Sequence, residues 1–316
     1  MFEWRRPRKV NVLLVAEEAA GVQTLRAILN GGHRLIGVVT SETSDLRRGA
    51  TVRGVAESNG CRLWPADSVK HSGFADEIRA AGVDILLNVH SLRMIHPAVL
   101  AAPLIGSFNL HPGPLPEYSG LNAPSWAIYN GEPRHAVTVH WMTAEVDSGP
   151  AAYREDLITG EDETGLTLSV KCVRAGVPLL LRLLDAASED PASIPRLPQD
   201  CARRRCYGRE VPQNGRLRWS QSAERIVRFV RACDYSPLPS PWGYPYTRLK
   251  GEPCAVLKAA RTRRPCAAPA GTIGEIRDAT ALVAASDEWV AISQVNVAGH
   301  VLRAADILQT GARLED

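Results

Sequence analysis

Residues 10–16 read Val10-Asn11-Val12-Leu13-Leu14-Val15-Ala16, an apolar run broken once, by Asn11. A strand with one face in water alternates polar and apolar residues. An unbroken run marks a strand buried on both faces, the situation in parallel sheets covered by helices. The text that follows keeps to that plan. Residues 22–29 have helical periodicity and stop at Gly31-Gly32, and residues 35–40 form a second apolar run. Residues 52–58 predict a short helix, 61–65 a third strand, 74–81 a helix, 84–89 a fourth strand and 107–111 a fifth. A short helix at 123–129 and a sixth strand at 137–142, alternating in polarity, complete the series. This order predicts βαβ units in an α/β fold: a Rossmann-like, doubly wound, mostly parallel sheet.

Farther on, Leu166, Val170, Val173, Val177, Leu180 and Leu184 recur at helical spacing. Pro178 is expected to kink that helix or split it in two. Residues 189–215 carry prolines and the cluster Arg203-Arg204-Arg205, and read as a linker crossing the surface with its arginines in solvent. An amphipathic helix at 222–233 precedes short strands at 255–258, 271–276, 281–284 and 290–295. They predict a small, OB-like β-barrel domain. The expected division is a catalytic domain over 1–190, a linker over 191–220 and a β domain over 221–316.

Composition bounds the function without choosing it. The 316 residues are 45% hydrophobic and 22% charged, as in an ordinary globular protein, and the net charge of +3 neither demands nor excludes an anionic partner. Seven cysteines without CxxC spacing, the nearest pair being Cys201 and Cys206, read as reduced thiols of a cytoplasmic protein. No secretory signal or membrane span is expected, because the charged residues 1–8 precede no long apolar run. The loop after the first strand lacks GxGxxG, so it is no dinucleotide fingerprint. His90, His96, His135 and His140 show no HxH or HExxH spacing and read as surface or packing histidines, with no metal expected.

The chemistry concentrates in Ser107-Phe108-Asn109-Leu110-His111-Pro112-Gly113-Pro114-Leu115-Pro116. Residues two apart on a strand share a side, so Asn109 and His111 project together from a strand end. An amide donor beside an imidazole suits reaction at a carbonyl, where one group holds an oxyanion and the other moves a proton. Asp147 lies in the turn after the sixth strand, also at a carboxyl end, where ligands of open α/β sheets bind. A carboxylate beside the imidazole would orient it and raise its pKa, keeping His111 protonated. No serine or cysteine sits in a nucleophile elbow, so the nucleophile is expected from the substrate.

With these residues in view the chain resembles the folate-dependent formyltransferases that use 10-formyltetrahydrofolate. The matching text is Asn109-Leu110-His111-Pro112, Leu115-Pro116, Gly120, Trp126-Ala127-Ile128, Val137-Thr138-Val139 and Asp147-Ser148-Gly149. It continues in Asn214-Gly215-Arg216-Leu217-Arg218-Trp219, in Arg231-Ala232 and in Pro241-Trp242-Gly243-Tyr244-Pro245-Tyr246-Thr247. The resemblance implies catalytic roles for Asn109, His111 and Asp147, and 10-formyltetrahydrofolate as co-substrate. It also implies a pterin slot from the loop after the fourth strand, with Leu92, Met94 and Ile95, closed by Glu145, Val146 and Asp147. His90-Ser91 stand where the family pattern has tyrosine and glycine.

The acceptor is the open question. Tyr118, Ser119 and Asn122 in the loop after the motif are candidate substrate-pocket residues, against a reading as ordinary turn chemistry. Relatives of this length formylate initiator methionyl-tRNA, and carry a basic, aromatic run where this chain has Glu117-Tyr118-Ser119-Gly120-Leu121-Asn122-Ala123-Pro124. Residues 41–52 hold only Arg47 and Arg48 as positive charge, offset by Glu42 and Asp45, which disfavours phosphate binding. The loop text resembles formyltransferases of natural-product assembly. These act on a primary or hydroxylated amine of a small metabolite, an amino acid or a carrier-bound intermediate. Methionyl-tRNA, an amino sugar and a non-catalytic folate-binding scaffold are the alternatives.

Overall fold

The computed structural model describes residues 8–42 and 49–316. The charges before Arg8, and Asp45, Arg47 and Arg48, lie outside the described residues. In chain order the elements are β1 (Asn11–Ala16), α1 (Glu18–Asn30), β2 (Arg34–Thr40), α2 (Val52–Ser58), β3 (Leu63–Pro65), α3 (Phe74–Ala80), β4 (Ile85–Val89), α4 (Pro97–Leu100) and β5 (Gly106–His111). Then come β6 (Ser119–Gly120), α5 (Ala123–Asn130), β7 (Arg134–Trp141), β8 (Ala151–Ile158), α6 (Gly165–Glu189), β9 (Cys206–Tyr207) and α7 (Ala223–Ala232). The last are β10 (Tyr246–Leu249), β11 (Glu252–Pro265), β12 (Ile273–Arg277), β13 (Thr280–Ala284), β14 (Glu288–Val297), β15 (His300–Arg303), α8 (Ala304–Ile307) and β16 (Leu314–Glu315). They make two compact units. One holds the described residues up to Gly120 with Ala136–Leu157 and Lys171–Cys206; the other holds Leu121–His135, Ile158–Val170 and Tyr207–Asp316.

The sheet of the first unit has the order β3-β2-β1-β4-β5-β7-β8. The pairs from β3 to β5 are parallel and β5–β7 is antiparallel. The apolar run of β1 is central, and its side chains go both ways. Val12, Leu14 and Ala16 join a core with α1 and α6, whereas Leu13 and Val15 join a second core with Phe74, Ile78 and Val99 from α3 and α4. Each such leucine, fully buried, contributes about 1.5–3 kcal/mol relative to exposure. The strand order reverses between β1 and β4, and in open α/β sheets ligands bind outside the carboxyl ends of the strands beside such a switch.

One helix runs through Pro178, which does not split it. Proline removes one backbone donor, but Cys172 and Val173 before it and Leu179, Leu180, Leu183, Leu184 and Ala187 after it are all buried in one core. Packing on both sides outweighs the lost bond. Gly176 lets the helix lie on the sheet, since a Cβ there would stand 2.7 Å from Leu110 Cδ1. β8 was not anticipated: Arg154, Glu155 and Asp156 are exposed on this edge strand and hide its periodicity.

In the second unit the order is β12-β13-β14-β11-β10-β16, with β15 on β14. The sheet curls until its ends meet. Thr272 bridges Arg313, Ile273 N–H donates to Ala312 O (2.8 Å) and Leu314 N–H donates to Gly271 O (2.9 Å). Such closure leaves few free edges. Trp219 is fully buried, its indole N–H donating to Thr247 Oγ1 (3.0 Å). Among the described residues, no helix is long and apolar enough to cross a membrane.

Candidate active site

Strand register builds the site. Asn88 on β4 pairs with Asn109 on β5, and Asn109 pairs with His140 on β7, so three polar side chains stand in one row across three strands. The intervening Phe108, Leu110, Val139 and Trp141 face the core against α6. Asn88 Nδ2 donates to Asn109 Oδ1 (2.9 Å), which fixes the Asn109 amide with its nitrogen toward His140 Nε2 (3.1 Å) and Asp147 Oδ1 (3.4 Å). His140 Nδ1 lies 2.8 Å from Trp141 O, so that nitrogen carries the proton and Nε2 accepts from Asn109.

Asp147 returns to this row through a tight turn. It has φ = 50°, in the left-handed region that aspartate tolerates better than most residues. Gly149 lies so close to the end of β7 that a Cβ would stand 1.9 Å from Trp141 O. The Asp147 carboxylate receives Gly120 N–H at Oδ2 (2.8 Å) and faces His111 Nδ1 (3.4 Å) and His140 Nε2 (3.3 Å). Desolvation alone would raise its pKa. The nearby His111 and His140, each of which pairs with the carboxylate when protonated, and the Gly120 N–H overcome that, and hold it well below the usual carboxylate range.

His111 corrects the expectation of a raised pKa. It is 3% exposed, and burial pushes it below the ordinary imidazole value more strongly than Asp147 raises it. Its Nε2 lies 2.6 Å from Tyr118 O and donates to it. In the neutral ring Nδ1 therefore holds the lone pair, facing Asp147.

The other anticipated residues separate. Leu92, Met94 and Val146 are exposed apolar side chains, at 78%, 62% and 42%, on the loops after β4 and β7. Glu145 is exposed, bound to Arg204. Ile95 does not join that slot; it is buried in the core with Val69 and Val99. Tyr118 and Ser119, read as pocket-lining side chains, are buried: Ser119 Oγ donates to Pro116 O (3.2 Å), and the carbonyl of Tyr118 is what reaches His111. Asn122 belongs to the other unit, at the start of α5 with φ = 57°. Among the described residues, no group of three or more His, Cys, Asp or Glu is placed to hold a metal ion.

Asn109, His111 and Asp147 thus converge toward the carboxyl end of β5, the strand that antiparallel β7 lines. The formyl transferase family model matches residues 9–184, and the model of the formyl transferase C-terminal domain matches residues 211–311. The chain belongs to the formyl transferase family. WlaRD, a sugar 3N-formyl transferase solved in the presence of dTDP and 5-N-formyl-THF, is 14% identical (TM-score 0.68), over 90% of this chain and 97% of that one. The N-formyltransferase from Helicobacter canadensis, in complex with folinic acid and dTDP-3-aminofucose, is 14% identical (TM-score 0.68), over 90% and 98%. HypX from Aquifex aeolicus, with tetrahydrofolic acid, is 18% identical (TM-score 0.62); 95% of this chain covers 47% of HypX. At these identities the likeness is one of fold.

Two features of this formyl transferase escaped the sequence reading. His140 was read as a packing histidine, yet the register sets it against Asn109. Its one signal was its phase, two residues from Thr138 on an alternating strand. The segment after α6 read as a solvated linker, but Arg204 is only 19% exposed, and Ser119 N–H donates to Arg205 O (3.0 Å) where β9 joins β6.

Proposed function

We propose that this formyl transferase moves the formyl group of 10-formyltetrahydrofolate to the amine of a small-molecule acceptor, with Asn109, His111 and Asp147 as the catalytic groups. The observation that carries the reading is the convergence of these three polar groups with His140 toward the carboxyl end of β5, beside antiparallel β7, where His111 and His140 are buried and the Asp147 carboxylate is nearly so. Burying them costs free energy that an apolar filling would not. Leu92 and Met94 on the loop after β4 and Val146 on the loop after β7 are large apolar side chains left exposed, and suit the flat pterin of the folate. Buried Asn88 Oδ1 and Ser91 Oγ, without hydrogen-bond partners beside this row, suit the polar edge of such a ligand.

When bound, 10-formyltetrahydrofolate supplies an electrophilic formyl carbon and a nitrogen leaving group. Asn109 Nδ2 then donates to the formyl oxygen as it gains charge, releasing its longer contact with Asp147 Oδ1 (3.4 Å). The attacking amine must lose a proton, and His111 Nδ1 is placed to hold it. Burial keeps the ring neutral at rest. Once protonated, Nδ1 becomes a donor to Asp147 Oδ2, whose charge stabilises the imidazolium. His111 returns that proton as the leaving group departs. His140 orients Asn109 and Asp147 without touching the reacting atoms.

A small acceptor suits the second unit's charges. Arg261 pairs with Glu288 (2.8 Å), Arg263 with Glu161 (3.2 Å), Arg264 with Glu275 (3.3 Å) and Arg303 with Asp306 (2.8 Å). Arginines so paired are poorly placed to displace counterions from tRNA phosphates. Within small acceptors, a primary or hydroxylated amine of natural-product assembly, free or carrier-bound, is one reading. A nucleotide-linked amino sugar is the second, favoured by WlaRD and the Helicobacter canadensis enzyme, both matched over nearly their whole length. The test is mass spectrometry of an acceptor panel with 10-formyltetrahydrofolate: dTDP-amino sugars, hydroxylated and primary amines, a carrier-bound amine and methionyl-tRNA. One added formyl group on a small amine is expected. Formylation of methionyl-tRNA alone would overturn the small-acceptor reading.

A further inference from the structure

We infer that Gln199 is a positioning residue for the Asp147 turn, and that the segment from Leu197 to Arg205 is a strap which sets the geometry of the reaction. The inference rests on the proposed role of Asp147. Gln199 Nε2 donates to two carbonyls of that turn, Asp147 O (2.8 Å) and Gly149 O (2.6 Å). Both amide hydrogens are thereby used, while its own Oε1 is buried with no hydrogen-bond partner. An amide that leaves its oxygen orphaned is held by what its nitrogen does.

The turn needs holding. Asp147 sits at φ = 50°, and its carboxylate must meet His111, His140 and Gly120 N–H together. The strap grips it at several points. Leu197 and Ala151 exchange backbone hydrogen bonds of 2.9 Å in both directions. The Arg204 guanidinium donates to Val146 O (2.6 Å) and pairs with Glu145. Arg205 ties the other loop, its N–H donating to Pro116 O (3.2 Å) and its carbonyl accepting from Ser119 N–H (3.0 Å). The turn bearing Asp147 and the loop bearing the carbonyl bound by His111 are thus fastened by one segment. A displacement near 1 Å at such a site costs about 100-fold in rate.

The experiment compares steady-state formyl transfer by Gln199→Met, Gln199→Glu, Asp200→Ala and Asp147→Asn in the full chain, with folding checked by circular dichroism and thermal melting. Methionine keeps the length and loses both donors; glutamate sets an anion against two carbonyls. Both are expected to lower kcat about 10–100-fold, with KM for the acceptor within about threefold. The acid limb of the pH profile should also move to lower pH, because a displaced Asp147 no longer raises the pKa of His111. Asp200 lies next in the strap but caps only Ala202 N–H (3.1 Å), so Asp200→Ala should stay within about twofold of wild type. A folded Gln199→Met enzyme with wild-type kcat, beside an inactive Asp147→Asn, overturns the role of Gln199 alone. Full activity in Asp147→Asn overturns both readings. An equal loss in Asp200→Ala also overturns the inference, since the segment would then matter only as structure.

Discussion

Where β5 pairs with β7, Asn109, His111, His140 and Asp147 are gathered within hydrogen-bonding reach of one another, His111 and His140 buried and the Asp147 side chain 9% exposed. On the curled sheet of the other unit, Arg263, Arg264 and Arg303 face water, each beside a carboxylate. Both regions hold charge, under opposite physics. Exposed pairs are screened and contribute little, so their loss changes little. A buried cluster is costly to assemble and costly to break, because each member leaves the others desolvated and unpaired. The contrast says where the chain carries a destabilising arrangement that folding does not require. Substitutions that treat the two regions alike are the way to break it.

The largest effects should come from the cluster. Asn109→Ala, His111→Ala and Asp147→Ala should each lower kcat by about 100–1,000-fold, equivalent to roughly 3–4 kcal/mol of transition-state stabilisation. The check is steady-state turnover of purified enzyme whose thermal melting still gives one cooperative transition. Near-wild-type turnover in folded His111→Ala would remove the functional side of the comparison.

An intermediate effect concerns pH. His111 must be neutral to accept a proton, so activity should rise with pH through its pKa and level off above it. Burial lowers that pKa. The acid limb of kcat/KM for the folate, measured with an acceptor that does not titrate in the same range, should therefore fall below about 6.5, the ordinary imidazole value. Asp147, whose pKa is held below the usual carboxylate range, stays ionised across that range. A limb clearly above the ordinary imidazole value would mean that the Asp147 charge outweighs desolvation and that His111 rests protonated.

What could be read in advance follows the same division. β1 and β4 were legible because both faces of each meet apolar cores, leaving their runs unbroken by charge: in β4, Ile85, Leu86 and Leu87 are all fully buried. β8 was hidden because Arg154, Glu155 and Asp156 belong to a sheet edge and answer to solvent. The Asn109–His111 spacing is local and visible in one strand. The partnership of Asn109 with His140 depends on register between strands, across a sequence separation of 31 residues. Gln199 is harder again, since nothing in a proline-rich stretch announces which turn its amide will hold. Ile95 and Tyr118 erred the other way: an apolar or aromatic residue near a site is as easily drawn into the core as left to line a pocket.

The smallest expected effect tests the exposed side of the comparison. Arg263 is 74% exposed beside Glu161, and Arg264 is 60% exposed beside Glu275. Arg263→Ala and Arg264→Ala should each change stability by only about 0–1 kcal/mol, read from urea midpoints at constant slope. With a small amine acceptor they should leave kcat/KM within about twofold, and a plot of log kcat/KM against log salt should be nearly flat for wild type and variants. A nucleic-acid acceptor would behave otherwise. Each arginine that neutralised a phosphate would add about one to the downward slope, and its removal would take that increment away. A steep slope that these substitutions flatten would show the paired arginines exchanging Glu161 and Glu275 for phosphate. The exposed arginines would then be binding charges held in reserve, and their contrast with the buried cluster would no longer separate structure from function.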